Sequence, residues 1–266
     1  MLKEKRLFLL DIDGTVCRGE QLIAGTKEFL EDVRVCGGQF VFLTNNASKS
    51  VWDYQSFFQD MGISTDYSNF MTAACAAVRY LKRNHRDGLI YVLGNRPFIR
   101  ELKRSGIRVT TDWEDAEITC AIVSYDNQLT YEKISDTCRL LLERQVDYVA
   151  TNPDYVCPTE FGSVPDCGSI CQMLEHAVKR TPRFLGKPEP AMVEYALRQS
   201  LFGRKETLLV GDRLYTDIAC GRRAGVETAL VLTGEATRKD AAAGPERPDF
   251  LFSSIRELHS RWREEQ

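Results

Sequence analysis

Apolar runs that end in polar clusters recur along this chain, at the spacing of strands alternating with helices. Leu7, Phe8, Leu9 and Leu10 run without alternation, the pattern of a strand buried on both faces, as in a parallel sheet flanked by helices. That run leads directly into Asp11-Ile12-Asp13-Gly14-Thr15. A helix is predicted over Thr26–Cys36, with Phe29, Leu30 and Val33 on one face and Gly37-Gly38 as its stop. Phe40 to Leu43 repeats the buried-strand pattern and ends in Thr44-Asn45-Asn46. Ser50 and Asp53 mark the start of a helix running to about Asp60, before Gly62. Another helix fits Thr72 to about Asn84.

From Leu89 the alternation restarts. Leu89–Leu93, Ile118–Val123 and Val146–Ala150 read as strands, and Pro97–Ser105 and Tyr131–Glu143 as helices. A polar loop with Pro and Gly, Thr151–Asp166, precedes a helix from about Gly168 to Lys179. The short run Phe184-Leu185 is followed by Gly186-Lys187-Pro188 and a helix over Pro190–Gln199. Thr207–Val210 leads into Gly211-Asp212-Arg213-Leu214-Tyr215-Thr216-Asp217, then a helix to Ala224 and a strand over Glu227–Leu232. A run Phe250-Leu251-Phe252 and a closing helix complete the chain. The alternation predicts an α/β fold, a doubly wound parallel-sheet core with an inserted α/β domain. Asp13 and Thr44 lie too close for more than a flap (Val16–Ala24) and one helix. Far more chain separates Thr44 from Lys187 than one crossover needs. The expected division is therefore 1–77 with 183–266 as core and 78–182 as insertion.

The 266 residues are 43% hydrophobic and 27% charged, as in a soluble globular protein. No apolar stretch approaches the ~18 residues of a membrane span. The N-terminal apolar run is too short for a signal peptide and ends in aspartates, so a cytoplasmic location without a membrane partner is expected. A net charge of −3 supplies no basic excess for a nucleic-acid polymer. The nine cysteines are scattered and form no CxxC pair, which argues against a disulfide framework and for small core residues. Cys157, Cys167 and Cys171 are closer together, but three histidines in the whole chain give them little support as a metal site.

Chemistry-bearing residues instead collect where apolar runs end: Asp11 and Asp13, Thr44 and Asn45, Asp212, and Lys187 after Phe184-Leu185. In open α/β sheets ligands bind outside the carboxyl ends of the strands. If these strands are neighbours, the residues converge on one rim. Carboxylates, a lysine and a hydroxyl together suit a hard cation and a phosphoryl group. Alone, Asp13-Gly14 reads equally well as a turn. A calcium loop is excluded, because its sixth and twelfth positions from Asp11 are Val16 and Leu22 instead of Gly and Glu.

The order Asp11-x-Asp13-Gly14-Thr15, Thr44-Asn45, Gly186-Lys187-Pro188 and Gly211-Asp212-x-x-x-Thr216-Asp217 resembles the four motifs of the haloacid dehalogenase-like (HAD) superfamily. Thr44-Asn45-Asn46, Thr151-Asn152-Pro153-Asp154 and Gly186-Lys187-Pro188 resemble its NagD and para-nitrophenyl phosphatase branch. The resemblance spans nearly the whole chain and makes the insertion an α/β cap that sets specificity. It implies Asp11 as nucleophile, forming an aspartyl-phosphate, and Asp13 as general acid and base. It implies Mg2+ held by the side chains of Asp11 and Asp212 and the carbonyl of Asp13. Thr44, Asn45 and Asn46 would bind the phosphoryl group, Lys187 would balance charge, and Asp217 and Thr15 would orient these groups. By position, Tyr155, Glu160 and Phe161 would meet the leaving group.

The implied partner is a small phosphorylated metabolite such as a nucleotide or sugar phosphate, with activity on para-nitrophenyl phosphate. A homodimer through the cap is an assembly used in the branch. Asp13 favours phosphate-ester hydrolysis over dehalogenation, which needs no acid at that position. P-type ATPase chemistry would need membrane helices. Phosphotransfer to a small acceptor and non-catalytic binding of a phosphometabolite are the alternatives.

Overall fold

In chain order the computed structural model, which describes residues 1–47, 49–159 and 161–266, begins with β1 (Leu7–Leu10), a two-strand flap of β2 (Cys17–Arg18) and β3 (Gln21–Leu22), α1 (Thr26–Val35) and β4 (Gln39–Thr44). It continues through α2 (Val51–Asp60), β5 (Phe70–Thr72), α3 (Ala73–Asn84), β6 (Leu89–Leu93), α4 (Arg96–Arg104) and β7 (Arg108–Thr110). Next come β8 (Ile118–Val123), α5 (Tyr131–Glu143), β9 (Asp147–Ala150), a hairpin of β10 (Val156–Thr159) and β11 (Gly162–Pro165), and α6 (Cys167–Val178). The last part holds β12 (Arg183–Phe184), α7 (Ala191–Gln199), β13 (Thr207–Gly211), α8 (Ala219–Ala224), β14 (Glu227–Val231), α9 (Arg238–Ala243), β15 (Phe250–Phe252) and α10 (Ile255–Glu264). Among the described residues no helix is long and apolar enough to cross a membrane.

The first unit comprises Met1–Thr44, Gln55–Met71 and Lys187–Gln266. Its sheet has the order β15-β14-β13-β1-β4-β5, with β1 paired parallel to β13 on one side and β4 on the other. Every residue of β1 is buried, as the unbroken apolar run requires. Phe8 meets the rings of Phe29 from α1 and Trp262 from α10 at 4.9 and 5.3 Å, so these two helices cover one face. The edge strand Phe70–Thr72 takes in Thr72, where the helix is predicted to start, and α3 begins one residue later.

The second unit comprises Asn45–Tyr54 and Thr72–Gly186, with a parallel sheet β12-β9-β8-β6-β7. Alternate residues point to opposite faces and build two cores. Tyr91, Leu93, Val123 and Tyr148 pack with Leu140 of α5 and Leu174 of α6. Ile90, Val92, Ile122 and Val149 pack with Val78 and Leu81 of α3 and Phe98 of α4. A sheet buried on both faces accounts for the continuous apolar runs.

Its limits differ from 78–182 for physical reasons. Ala74 and Ala77 of α3 and Leu185 belong to its core, and Thr72 caps α3 by accepting from the amide of Cys75 at 3.1 Å. The run Phe184-Leu185 was expected to end a strand beside the aspartates. Instead β12 pairs with β9 in the second sheet, and Lys187 enters the first unit as the chain leaves that strand.

Candidate active site

Asp11 continues the ladder of β1, its amide donating to Val210 O at 2.9 Å. The parallel register of Leu10 with Val210 and Phe42 brings the ends of β1, β13 and β4 to one rim. Asp11 is fixed there, with Thr44 buried at the end of β4 and Asp212 just beyond β13. The chain then turns sharply: Ile12 O accepts from the amides of Val16 and Cys17, and Gly14 takes φ +91°. A Cβ on Gly14 would stand 2.6 Å from Asp212 Oδ2, so this turn requires glycine twice over.

Lys187 is 2% exposed, and its ammonium donates to Asp11 Oδ1 at 2.5 Å, Asp217 Oδ1 at 2.6 Å and Leu43 O at 2.9 Å. Burial opposes its charge, but the two carboxylates prevail and hold its pKa above the ordinary lysine value. Asp217 lies in a wide π-type turn, Leu214–Ile218, and its second oxygen accepts from the amide of Arg213 at 3.1 Å. A Cβ on Gly211 would fall 2.2 Å from the Asp217 carboxyl carbon. The carboxylate is thus seated against bare backbone and occupied on both oxygens.

Asp212 Oδ2 accepts from the amide of Glu235 at 2.7 Å, while Oδ1 is buried with no hydrogen-bond partner among the described residues. Oxygens of Asp11, Asp212 and Asp217 all lie within 4.8 Å of one another. Burial, then the neighbouring Asp217, pushes Asp212 up to about 7. Burial likewise raises Asp11 well above the carboxylate range, with Asp217 and Asp212 adding to the effect and Lys187 opposing it. Three crowded carboxylates with one ammonium leave an excess of negative charge that a divalent cation would relieve. An all-oxygen donor set with an unpartnered oxygen on Asp212 fits magnesium.

Asp13 lies in the tight turn after β1, partly buried. Thr15 is fully buried in the same turn, and its hydroxyl has no partner among the described residues. The first unit therefore gathers Asp11, Asp212, Asp217 and Lys187, with Thr44 on the same rim.

Asn45 and Asn46 belong to the second unit. The Asn45 amide donates to Asp154 Oδ2 at 2.7 Å, and Asn152 donates to the same oxygen at 2.9 Å. Tyr155 immediately precedes the hairpin of β10 and β11 and Phe161 lies in its turn; both are exposed, Phe161 at 84%. Glu160 lies outside the described residues.

Two groups escaped the sequence reading. Asp154 was seen only as part of a motif, although it anchors Asn45. The turn after β14 was not singled out at all. Thr233 Oγ1 donates to Gly14 O at 2.6 Å, and a Cβ on Gly234 would lie 1.9 Å from Asp212 Oδ2. The available signal was Thr233-Gly234 just beyond another buried strand, where a backbone approach to the rim is expected.

Clustered carboxylates and a buried lysine stand at the carboxyl rim of a parallel sheet flanked by helices, and the chain belongs to the haloacid dehalogenase-like hydrolases. Models of that family match residues 8–108, as haloacid dehalogenase-like hydrolase, and 184–258, as HAD-hydrolase-like. The chain is 30% identical to 5'-nucleotidase YutF of Bacillus subtilis over 96% of its own length and 98% of that protein. Among solved structures, 4-nitrophenylphosphatase from Thermotoga maritima superposes with a TM-score of 0.91 at 33% identity, covering 97% and 98% of the two chains. Glycerol phosphate phosphatase from Mycobacterium tuberculosis, in complex with magnesium, gives 0.90 at 29% identity over 98% and 79%. These similarities place the chain in the branch that includes NagD and the nitrophenyl phosphatases.

Proposed function

We propose that the protein is a magnesium-dependent phosphatase of small phosphomonoesters that works through an aspartyl-phosphate at Asp11. The observation that carries this reading is the Asp11–Lys187–Asp217 arrangement beside the unpartnered oxygen of Asp212. The names of its relatives, a nucleotidase and two phosphatases of small phosphate esters, support the same reaction class.

Asp11 and Asp212, with the backbone carbonyl of Asp13, would hold the magnesium, which when bound offsets the repulsion between a carboxylate and an anionic phosphate. An Asp11 oxygen attacks phosphorus and the bond to the leaving oxygen breaks. Asp13 gives that oxygen its proton. Water then attacks the phosphorus of the aspartyl-phosphate, Asp13 takes its proton, and inorganic phosphate leaves with Asp11 restored. Lys187 holds Asp11 in position and balances charge as it passes to the phosphoryl group. Asp217 keeps Lys187 aimed. Thr44 and the amide of Asn45, with Asn46, are assigned to phosphoryl oxygens. Tyr155 and Phe161, with Glu160, are assigned to choosing the leaving group from the second unit.

Release of phosphate from para-nitrophenyl phosphate tests the scheme. Asp11→Asn should abolish magnesium-dependent turnover. Asp13→Asn should slow esters of poor leaving groups by about 10²–10⁴-fold and para-nitrophenyl phosphate much less in the first step. Equal losses of kcat/KM, which reports the first step, on both esters would remove Asp13 from the role of acid. Phosphate appearing on an added alcohol instead of in solution would indicate a phosphotransferase.

A further inference from the structure

A second set of metal-type donors lies in the other unit, at the opposite ends of its strands. Cys120 and Asp147 are register partners on the adjacent parallel strands β8 and β9, so their side chains share one face of the sheet. Asp147 opens β9, near the amino edge, whereas ligand-bearing rims form at carboxyl ends. His85 caps the carboxyl end of α3, the helix packed on that same face, and so hangs over the pair. Its Nε2 lies 2.9 Å from Asp147 Oδ2, and the Tyr80 hydroxyl donates to the same oxygen at 2.7 Å. One donor atom each from His85, Cys120 and Asp147 all fall within 4.8 Å of one another.

We propose that His85, Cys120 and Asp147 form a metal site for a borderline transition ion of the Zn2+ type, separate from the magnesium centre. The donor set decides the ion. Imidazole, thiol and carboxylate are the ligands zinc takes at about 2.0–2.3 Å, which places tetrahedral donors roughly 3.3–3.8 Å apart. Magnesium and calcium have no use for sulfur. Three protein ligands leave a fourth position for water or the Tyr80 hydroxyl. Access is provided by the surface side: Asp147 has 37% of its side chain exposed and His85 13%, while Cys120 forms the buried floor.

The alternative, a helix end pinned by hydrogen bonds with Cys120 as a packed core residue whose thiol donates to Ala121 O at 3.7 Å, leaves the convergence of imidazole, thiol and carboxylate donors without a use. On metal binding the thiol proton passes to solvent as the sulfur–metal bond forms. An ion there would tie α3 to two strands of the sheet.

Cobalt(II) reports such a site, because a thiolate ligand produces a charge-transfer absorption that an all-carboxylate centre cannot. The whole 266-residue chain, stripped with chelator under reducing conditions, is titrated with cobalt. The expected result is a thiolate band that saturates and is displaced by zinc. It should be lost in Cys120→Ser and in His85→Ala, and retained in Asp212→Asn, whose change lies at the other centre. No band in the wild type, a band that survives both first substitutions, or one lost in Asp212→Asn would each overturn the assignment. Should Cys120→Ser not fold, the partly exposed His85→Ala decides the matter.

Discussion

At the scale of single residues, the site depends as much on missing side chains as on charged ones. Asp212 and Asp217 reach their places because Gly14, Gly234 and Gly211 leave room that any Cβ would fill. Gly234→Ala should displace Asp212 and lower magnesium affinity by about 10–100-fold, the range for lost support of a metal ligand. Activity titrated against magnesium checks this, and an unchanged midpoint would mean that Asp212 is positioned by other means. Lys187→Met leaves Asp11 and Asp217 buried without their shared cation, a change of the kind that costs about 3–5 kcal/mol. Urea unfolding of metal-free protein should show that loss alongside loss of turnover. The charged residues were legible in the sequence because they interrupt apolar runs: Asp11, Asp13 and Asp212 stand where strands had to end. Gly234 and Glu235 were not, since one contributes an absent atom and the other a backbone amide, and neither leaves a pattern along the chain.

At the scale of elements, the length of an apolar run decides whether a strand is visible in the sequence. Uninterrupted apolar runs in β1, β4, β6, β8 and β13 announce strands buried on both faces, and all five are present. The short edge strands β5, β7 and β12 carry too few residues for a pattern, so their pairing is decided by tertiary contacts. That is why Phe184 joined the second sheet while Lys187 still reached Asp11. Caps matter at the junctions between elements. Thr72 ends β5 and caps α3, and Thr72→Ala should cost about 1 kcal/mol through the lost cap. In the first unit Trp262 of α10 is fully buried against Phe8 and Phe29. Trp262→Ala should cost about 3–5 kcal/mol in unfolding free energy while leaving the rim residues in place. A loss under 1 kcal/mol there would mean that α10 contributes little to holding β1.

At the scale of the whole molecule, two parallel sheets of different content divide the proposed work. The first carries the residues to which the reaction at phosphorus is assigned, Asp11, Asp13 and Lys187. The second carries the exposed Tyr155 and Phe161, to which leaving-group choice is assigned. Substituting each by Ala should alter kcat/KM unequally across a panel of phosphomonoesters while leaving the magnesium dependence in place. A uniform change for every ester would remove these residues from specificity. The distance between motifs predicts extra chain between Thr44 and Lys187, but not that Asn45–Tyr54 belongs to the second unit, because that segment lies far away in sequence and joins through Asn45 and Asp154.

The central claim is that Asp11 becomes phosphorylated. Rapid acid quenching during turnover, followed by mass spectrometry of the peptide containing Asp11-Ile12-Asp13, tests it directly. The account predicts one added phosphoryl group on Asp11, formed only with magnesium and absent from Asp11→Asn. An adduct on another residue, or undiminished phosphate release by Asp11→Asn, would contradict it.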